Sequence, residues 1–72
     1  MSALQAAGAA CRNAEYELQE IHDSVARATR ATLRATQIRQ GQQALDRIRE
    51  ACEALSAAAE AFYEAADKEE TR

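Results

Sequence analysis

The chain has 72 residues, nine basic and twelve acidic, for a formal charge of −3; 47 % of its residues are hydrophobic, and proline and tryptophan are absent. A chain this short makes one small domain with a thin core. Net acidity excludes a general electrostatic drive toward nucleic acid or anionic membrane, and no stretch approaches the ~20 apolar residues that span a bilayer.

The first element is signalled by Ser2 followed by Gln5, a capping-box pattern that starts helix 1 at residue 3. Small and apolar residues then recur in alternating steps of three and four: Leu4, Ala7, Cys11, Ala14, Leu18, Ile21, Val25, Ala28, Thr32 and Ala35. That period draws one stripe along an α-helix, the seam of a coiled coil. Gly8 interrupts the run at a cost of about 1 kcal/mol relative to alanine. Abundant alanine and the lack of proline favour long helices, and no segment alternates with period two, so strands are not expected.

Toward the end of helix 1, Arg27, Arg30 and Arg34 form a ridge beside Thr29, Thr32 and Thr36. The ridge has the charge to grip phosphates. No aromatic residue interleaves the arginines to stack bases, so a solvated face with Asp23 and Arg27 paired at i,i+4 is the simpler reading, and nucleic acid is not an expected partner. The seam slips in phase at Ala35, Ile38 and Gly41, which follow in two steps of three. Gly41 can take the left-handed position that ends a helix. The expectation is helix 1 over about 3–40, a turn near 41 and helix 2 over about 43–68, with a charged tail Lys68–Arg72. A single bent helix of roughly 100 Å is the rival arrangement.

Helix 2 carries its own seam, Leu45, Ile48, Cys52, Leu55, Ala59, Phe62 and Ala66. Beside it runs a second stripe, Ala44, Ala51, Ala58 and Ala65, widened by Ala54 and Ala61, and Ala3, Ala10, Ser24 and Ala31 flank helix 1 similarly. A seam alone suffices for two helices; a wide small-residue face suits close approach by a further helix. The fold expected is all-α: a two-helix antiparallel hairpin, coiled-coil-like, in one domain 1–72, assembling into a four-helix bundle. With the turn near 41, Val25 faces Leu55 and Leu18 faces Phe62, and these four with Ile21 form the main core. Cys11 and Cys52 then lie roughly 27 Å apart along the axis, too far for a disulfide. They read as reduced packing residues, suited to a reducing compartment.

Charge divides along this hairpin. Glu15, Glu17, Glu20, Asp23, Glu60, Glu64, Asp67, Glu69 and Glu70 gather at the end with the termini, and Arg27, Arg30, Arg34, Arg39, Arg47 and Arg49 gather at the turn. Two hairpins with turns at opposite ends would set acid against base. The motifs of catalysis are missing. His22 is the only histidine, and position 19, where a helical Glu-x-x-His pair needs its carboxylate, is Gln19. His22 is placed instead beside Glu60. Ser24 and Cys11 lack the base and orienting acid that activate a nucleophile. No enzyme, metal or cofactor is expected.

The last informative stretch is Phe62-Tyr63-Glu64-Ala65-Ala66-Asp67. Tyr63-x-x-x-Asp67, near the end of the second helix of a small hairpin, resembles the export signal of the ESX-type (Trp-x-Gly) family of type VII secretion. Tyr16 and Glu20 repeat the spacing in helix 1, and the family's Trp-x-Gly turn is absent, since Gly41 stands at the expected turn without a tryptophan. The resemblance implies a hairpin that pairs with itself or another small helical protein, or accompanies a secreted toxin. It also implies synthesis in the cytoplasm and export without a cleaved signal peptide; none is visible at the N-terminus. A second resemblance, in topology alone, is to Rop-like homodimeric regulators that bind RNA. A cytoplasmic adaptor or inhibitor, phage- or plasmid-borne, is the broader form of that alternative. In either case Tyr63, Asp67, Ala51, Ala58, Ala65, Arg27, Arg30 and Arg34 are the candidate interaction residues.

Overall fold

Two helices run antiparallel over the full length of a computed structural model that describes residues 2–70, with side chains to residue 69. α1 spans Ala3–Ala31 and α2 spans Ala35–Glu70. The hairpin and its all-α class are as the sequence indicates. Thr71 and Arg72 of the expected tail lie outside the described residues, and Lys68 and Glu69 continue α2.

The start of α1 follows its capping signal. Ser2 is extended, its hydroxyl accepts a hydrogen bond from the Gln5 amide at 3.1 Å, and its carbonyl accepts from Ala6 N at 3.0 Å. The hydroxyl thereby satisfies one of the orphan amides of the first turn, and the carbonyl accepts the first bond of the helix.

The turn lies earlier than expected. Thr32, Leu33 and Arg34 connect the helices, and Gly41 sits inside α2. Thr32 leaves the helix in extended conformation (φ −88°, ψ 149°), and among the described residues none has positive φ. The connection therefore needs no glycine. The Thr32 hydroxyl accepts from Arg34 N at 3.4 Å and donates to Gln37 Oε1, while the Arg34 carbonyl accepts from Ile38 N at 3.0 Å and opens α2. Leu33 sits at the apex, 97 % exposed.

Both glycines serve the helix interface instead. A Cβ on Gly8 would lie 2.8 Å from Cε1 of the Tyr63 ring, and one on Gly41 would collide with Oγ1 of Thr29. Each glycine thus admits a side chain of the opposite helix that alanine would push away. Moving the turn also lets Ile38 and Gly41 join the contact with α1.

The registry shifts accordingly. Glu15 lies beside Cys52, Arg12 beside Ser56, Thr29 beside Gly41 and Gly8 beside Tyr63. The pairings Val25–Leu55 and Leu18–Phe62 are replaced, and His22, bracketed by the levels of Gly41 and Cys52, does not face Glu60. Cys52 Sγ is 4.0 Å from the Glu15 carbonyl oxygen, and Cys11 is one helical turn from Glu15. The two cysteines are therefore much closer than 27 Å, and both are free thiols.

Along α1 the side turned to α2 runs through Leu4, Gly8, Cys11, Glu15, Leu18, His22, Val25, Thr29 and Thr32, all buried or half-buried. The expected seam shares Leu4, Cys11, Leu18, Val25 and Thr32 with it but took the neighbouring column, Ala7, Ala14, Ile21 and Ala28. Ile21, expected in the core, is 49 % exposed. The seam of α2 is as expected, extended backward to Gly41 and Ile38.

Packing is close but shallow. Among the described residues Ala59 and Ala66, at 0 % and 1 % exposure, are the buried hydrophobic ones, and no large side chain is fully buried. The molecule is a rod of 58 × 15 × 11 Å with a radius of gyration of 16.5 Å, against about 11 Å for a compact domain of this length. It exposes 5471 Å², where a compact monomer of its mass exposes roughly 4,400 Å².

Gly41→Ala separates helix propensity from packing. Propensity alone would stabilise α2 by about 1 kcal/mol. The collision with Thr29, whose hydroxyl donates to the Val25 carbonyl at 2.8 Å, should reverse the sign and leave a net loss of about 1–2 kcal/mol. Adding Thr29→Ala should restore stability. A raised urea midpoint for Gly41→Ala alone would contradict the close approach.

Candidate functional site: one apolar face on the hairpin

The site is a surface, and heptad positions define it. Taking Gly8, Glu15, His22 and Thr29 as a and Leu4, Cys11, Leu18 and Val25 as d in α1, the matching positions in α2 are Ile38, Leu45, Cys52, Ala59 and Ala66 as a and Gly41, Ile48, Leu55 and Phe62 as d. Two columns flank this seam on each helix. Contacts in the structure show which columns share a side.

One edge is polar. It pairs Gln5, Arg12 and Gln19 of α1 with Gln42, Arg49, Ser56 and Tyr63 of α2. Arg12 crosses it, donating from Nη1 to Ser56 Oγ at 3.1 Å and to Glu15 Oε1 at 3.2 Å. The Glu15 side chain is only 15 % exposed, so the guanidinium gives a carboxylate inside the helix contact its counter-charge. At this half-exposed edge the pair contributes at most about 1 kcal/mol.

The opposite edge is apolar. It carries Ala7, Ala14, Ile21 and Ala28 of α1 and Ala44, Ala51, Ala58 and Ala65 of α2. Ala28 and Gln37, which stand in the two flanking columns, line one depression with Val25, Thr29, Thr32 and Gly41, so the columns lie on the same side. Ile21 and Val25 line a second hollow, with Glu17, Glu20 and Ser24 at its rim. Half-buried Leu4, Leu18, Val25, Ile48, Leu55 and Phe62 underlie this face from the seam. Beyond the columns, Ala10, Ser24, Ala31, Ala54 and Ala61 extend it with small side chains, interrupted by Glu17 and Arg47.

The candidate interaction residues divide between these surfaces. Ala51, Ala58 and Ala65 stand on the apolar face, with Ala51 exposed and the other two half-buried. Tyr63, 36 % exposed, lies on the polar edge with its ring over Gly8, and Asp67 is exposed one turn further along. Arg27, Arg30 and Arg34 are exposed near the turn, and residues 24–45 hold these and Arg39 without a single acidic residue. Gly41, expected at the turn, lies inside α2.

Sequence reasoning missed the face on α1 because it assigned Ala7, Ala14, Ile21 and Ala28 to the contact with α2. The signal that separates the two columns is Gly8, whose missing side chain marks a close approach. Among the described residues no group of three or more histidine, cysteine or acidic side chains is placed to hold a metal ion, and no helix is long and apolar enough to cross a membrane. Comparison with protein-family models, curated proteins and solved structures finds no match to this chain.

A double-mutant cycle checks the edge assignment. Arg12→Ala and Ser56→Ala should each cost under about 1 kcal/mol, with a coupling energy of about 0.5–1 kcal/mol between them. Zero coupling in urea denaturation would place the two side chains apart.

Proposed function

We propose that the chain is a non-enzymatic protein–protein interaction module whose apolar face is completed by the helices of a partner. The supporting observation is the state of the large apolar side chains. Leu4, Leu18, Val25, Leu45, Ile48, Leu55 and Phe62 are half-buried and Ile21 is half-exposed, while complete burial is reached by alanine. Taking such a side chain from half to full burial yields about 1 kcal/mol, so covering the face is worth several kcal/mol to a domain this small. Two further helices complete such a layer as a four-helix bundle.

The specific form we favour is a type VII secretion-like companion or substrate, following the ESX-type resemblance. It is supported by the position of Tyr63 and Asp67 on the polar edge, one helical turn apart and both exposed. A receptor could read that pair while the apolar face is engaged. The alternative, a Rop-like regulator or cytoplasmic adaptor, draws on the acid-free cluster of exposed arginines at the turn.

The module reading is tested by Ile21→Lys. The hairpin should keep its helicity, and the assembled species should weaken at least tenfold in sedimentation equilibrium. A wild-type chain that stays monomeric and melts cooperatively across micromolar concentrations, with Ile21→Lys melting at the same temperature, overturns it. The export form is tested separately by Asp67→Ala, which leaves the Tyr63 ring packed over Gly8. Loss of secretion from a host with a type VII system, with assembly intact, is expected; unchanged secretion removes that form and leaves the adaptor.

A further inference from the structure

We propose that the apolar face is covered by a second copy of this chain, packed with its turn at the opposite end so that each helix lies antiparallel on its own copy. The inference rests on the module reading and names its partner.

Area supports a full-length face-to-face contact. A rod face of 58 by 15 Å offers roughly 800–900 Å² per copy, the size of a standard stable interface at ~800 Å² per partner. The surface excess is of the same order, about 1,100 Å²: 5471 Å² exposed against roughly 4,400 Å² for a compact monomer.

Charge selects the occupant and its direction. The turn end carries Arg27, Arg30, Arg34 and Arg39 with no acid between residues 24 and 45, and the far end of α2 carries Glu60, Glu64, Asp67 and Glu69 against Lys68. The rod is 58 Å long, several times the ~8 Å Debye length at physiological salt, so the two ends do not neutralise each other within one molecule. Turns placed together would bring like charges together at both ends. Turns placed apart set Arg34 and Arg39 beside the acidic end of the second copy's α2, while Arg27 and Arg30 stand beside the uncharged start of its α1. A second copy supplies the required pattern from this sequence alone.

Symmetry then fixes the pairs. When two copies share one face and point opposite ways, the two-fold runs across the helices, α1 stacks on α1 and α2 stacks on α2. The middle of α1 falls between Ala14 and Ile21, and the contact of Glu15 with Cys52 puts Ala51 at that level of α2. Ala14 therefore meets the second copy's Ile21, small against large, as close packing requires. Ala51 meets its own counterpart on the axis, where a methyl group lets the backbones approach. This also explains why the more apolar of two neighbouring columns on α1 is turned away from α2.

Cross-linking at the axis tests the arrangement. In a chain with Cys11→Ala and Cys52→Ala, Ala51→Cys should oxidise to a disulfide-linked dimer, while Ala57→Cys, exposed on the outer side of α2, should stay unlinked. In the chain with native cysteines, Ala51→Arg should raise the dimer Kd at least tenfold with helicity retained, and added salt should weaken the wild-type dimer. Linking of Ala51→Cys no better than Ala57→Cys, or a dimer indifferent to Ala51→Arg, overturns the proposal. If the wild-type chain still self-associates in that case, the module reading survives and the arrangement fails. If it is a monomer that becomes cooperatively folded only with a different protein, the second copy is excluded and the module survives. A cooperatively folded monomer removes both.

Discussion

The separation of the two helices governs the rest of the molecule. Gly8 receives the Tyr63 ring and Gly41 receives the Thr29 side chain, and among the described residues the buried hydrophobic ones are Ala59 and Ala66. Helices that meet through small residues pack closely along their line of contact, and that line has little room for large side chains. The leucines, isoleucines, valine and phenylalanine therefore spread to the margins of the contact. A third wall would enclose them, and two helices cannot provide one. The half-exposed seam is a direct result of the close approach.

The two edges differ because polar residues predominate on one side, while the other column is small and apolar apart from Gln37. On the polar edge Arg12 bridges Glu15 and Ser56, which lets a carboxylate sit in the helix contact with a charged partner. Thr29 satisfies its hydroxyl on the Val25 carbonyl. The inner stripe of α1 thus tolerates Glu15, His22 and Thr29 at half-buried positions where each keeps some access to water. Away from Gln37, whose Oε1 accepts from Thr32, the apolar edge needs no such devices, since methyl groups and Ile21 make no hydrogen bonds. That difference between a wet edge and a dry edge is what the proposed association through the dry one rests on.

The candidate site was partly legible. The alanine column of α2 stands out because its spacing of seven repeats four times beside a seam of larger residues. Its counterpart on α1 was hidden by being the better seam: Ala7, Ala14, Ile21 and Ala28 are more apolar than Gly8, Glu15, His22 and Thr29. Hydrophobicity ranks the wrong column first because it does not register how closely two backbones approach. The turn was hidden in a similar way. Glycine and the phase slip drew attention to 41, yet Ile38 and Gly41 continue the α2 seam backward in unbroken alternation. The slip falls between Ala35 and Ile38, next to the actual break.

Local physics determined much of this protein from sequence alone. Helix formation, the N-terminal cap at Ser2, the absence of expected strands and the seam of α2 follow from hydrogen bonds within one chain segment and from a period of 3.6 residues. Tertiary structure decided where the chain turns and which of two adjacent stripes of α1 faces α2. Residues 31–41 contain neither proline nor a strong capping pair, so propensity leaves the break open over that stretch. The two stripes share Leu4, Cys11, Leu18 and Val25, so their periodicity is the same. What separates the alternatives is the fit of side chains across the gap: Tyr63 over Gly8, Thr29 over Gly41 and Arg12 reaching Ser56. Those contacts join residues far apart in the chain, and they exist only once both helices are in place.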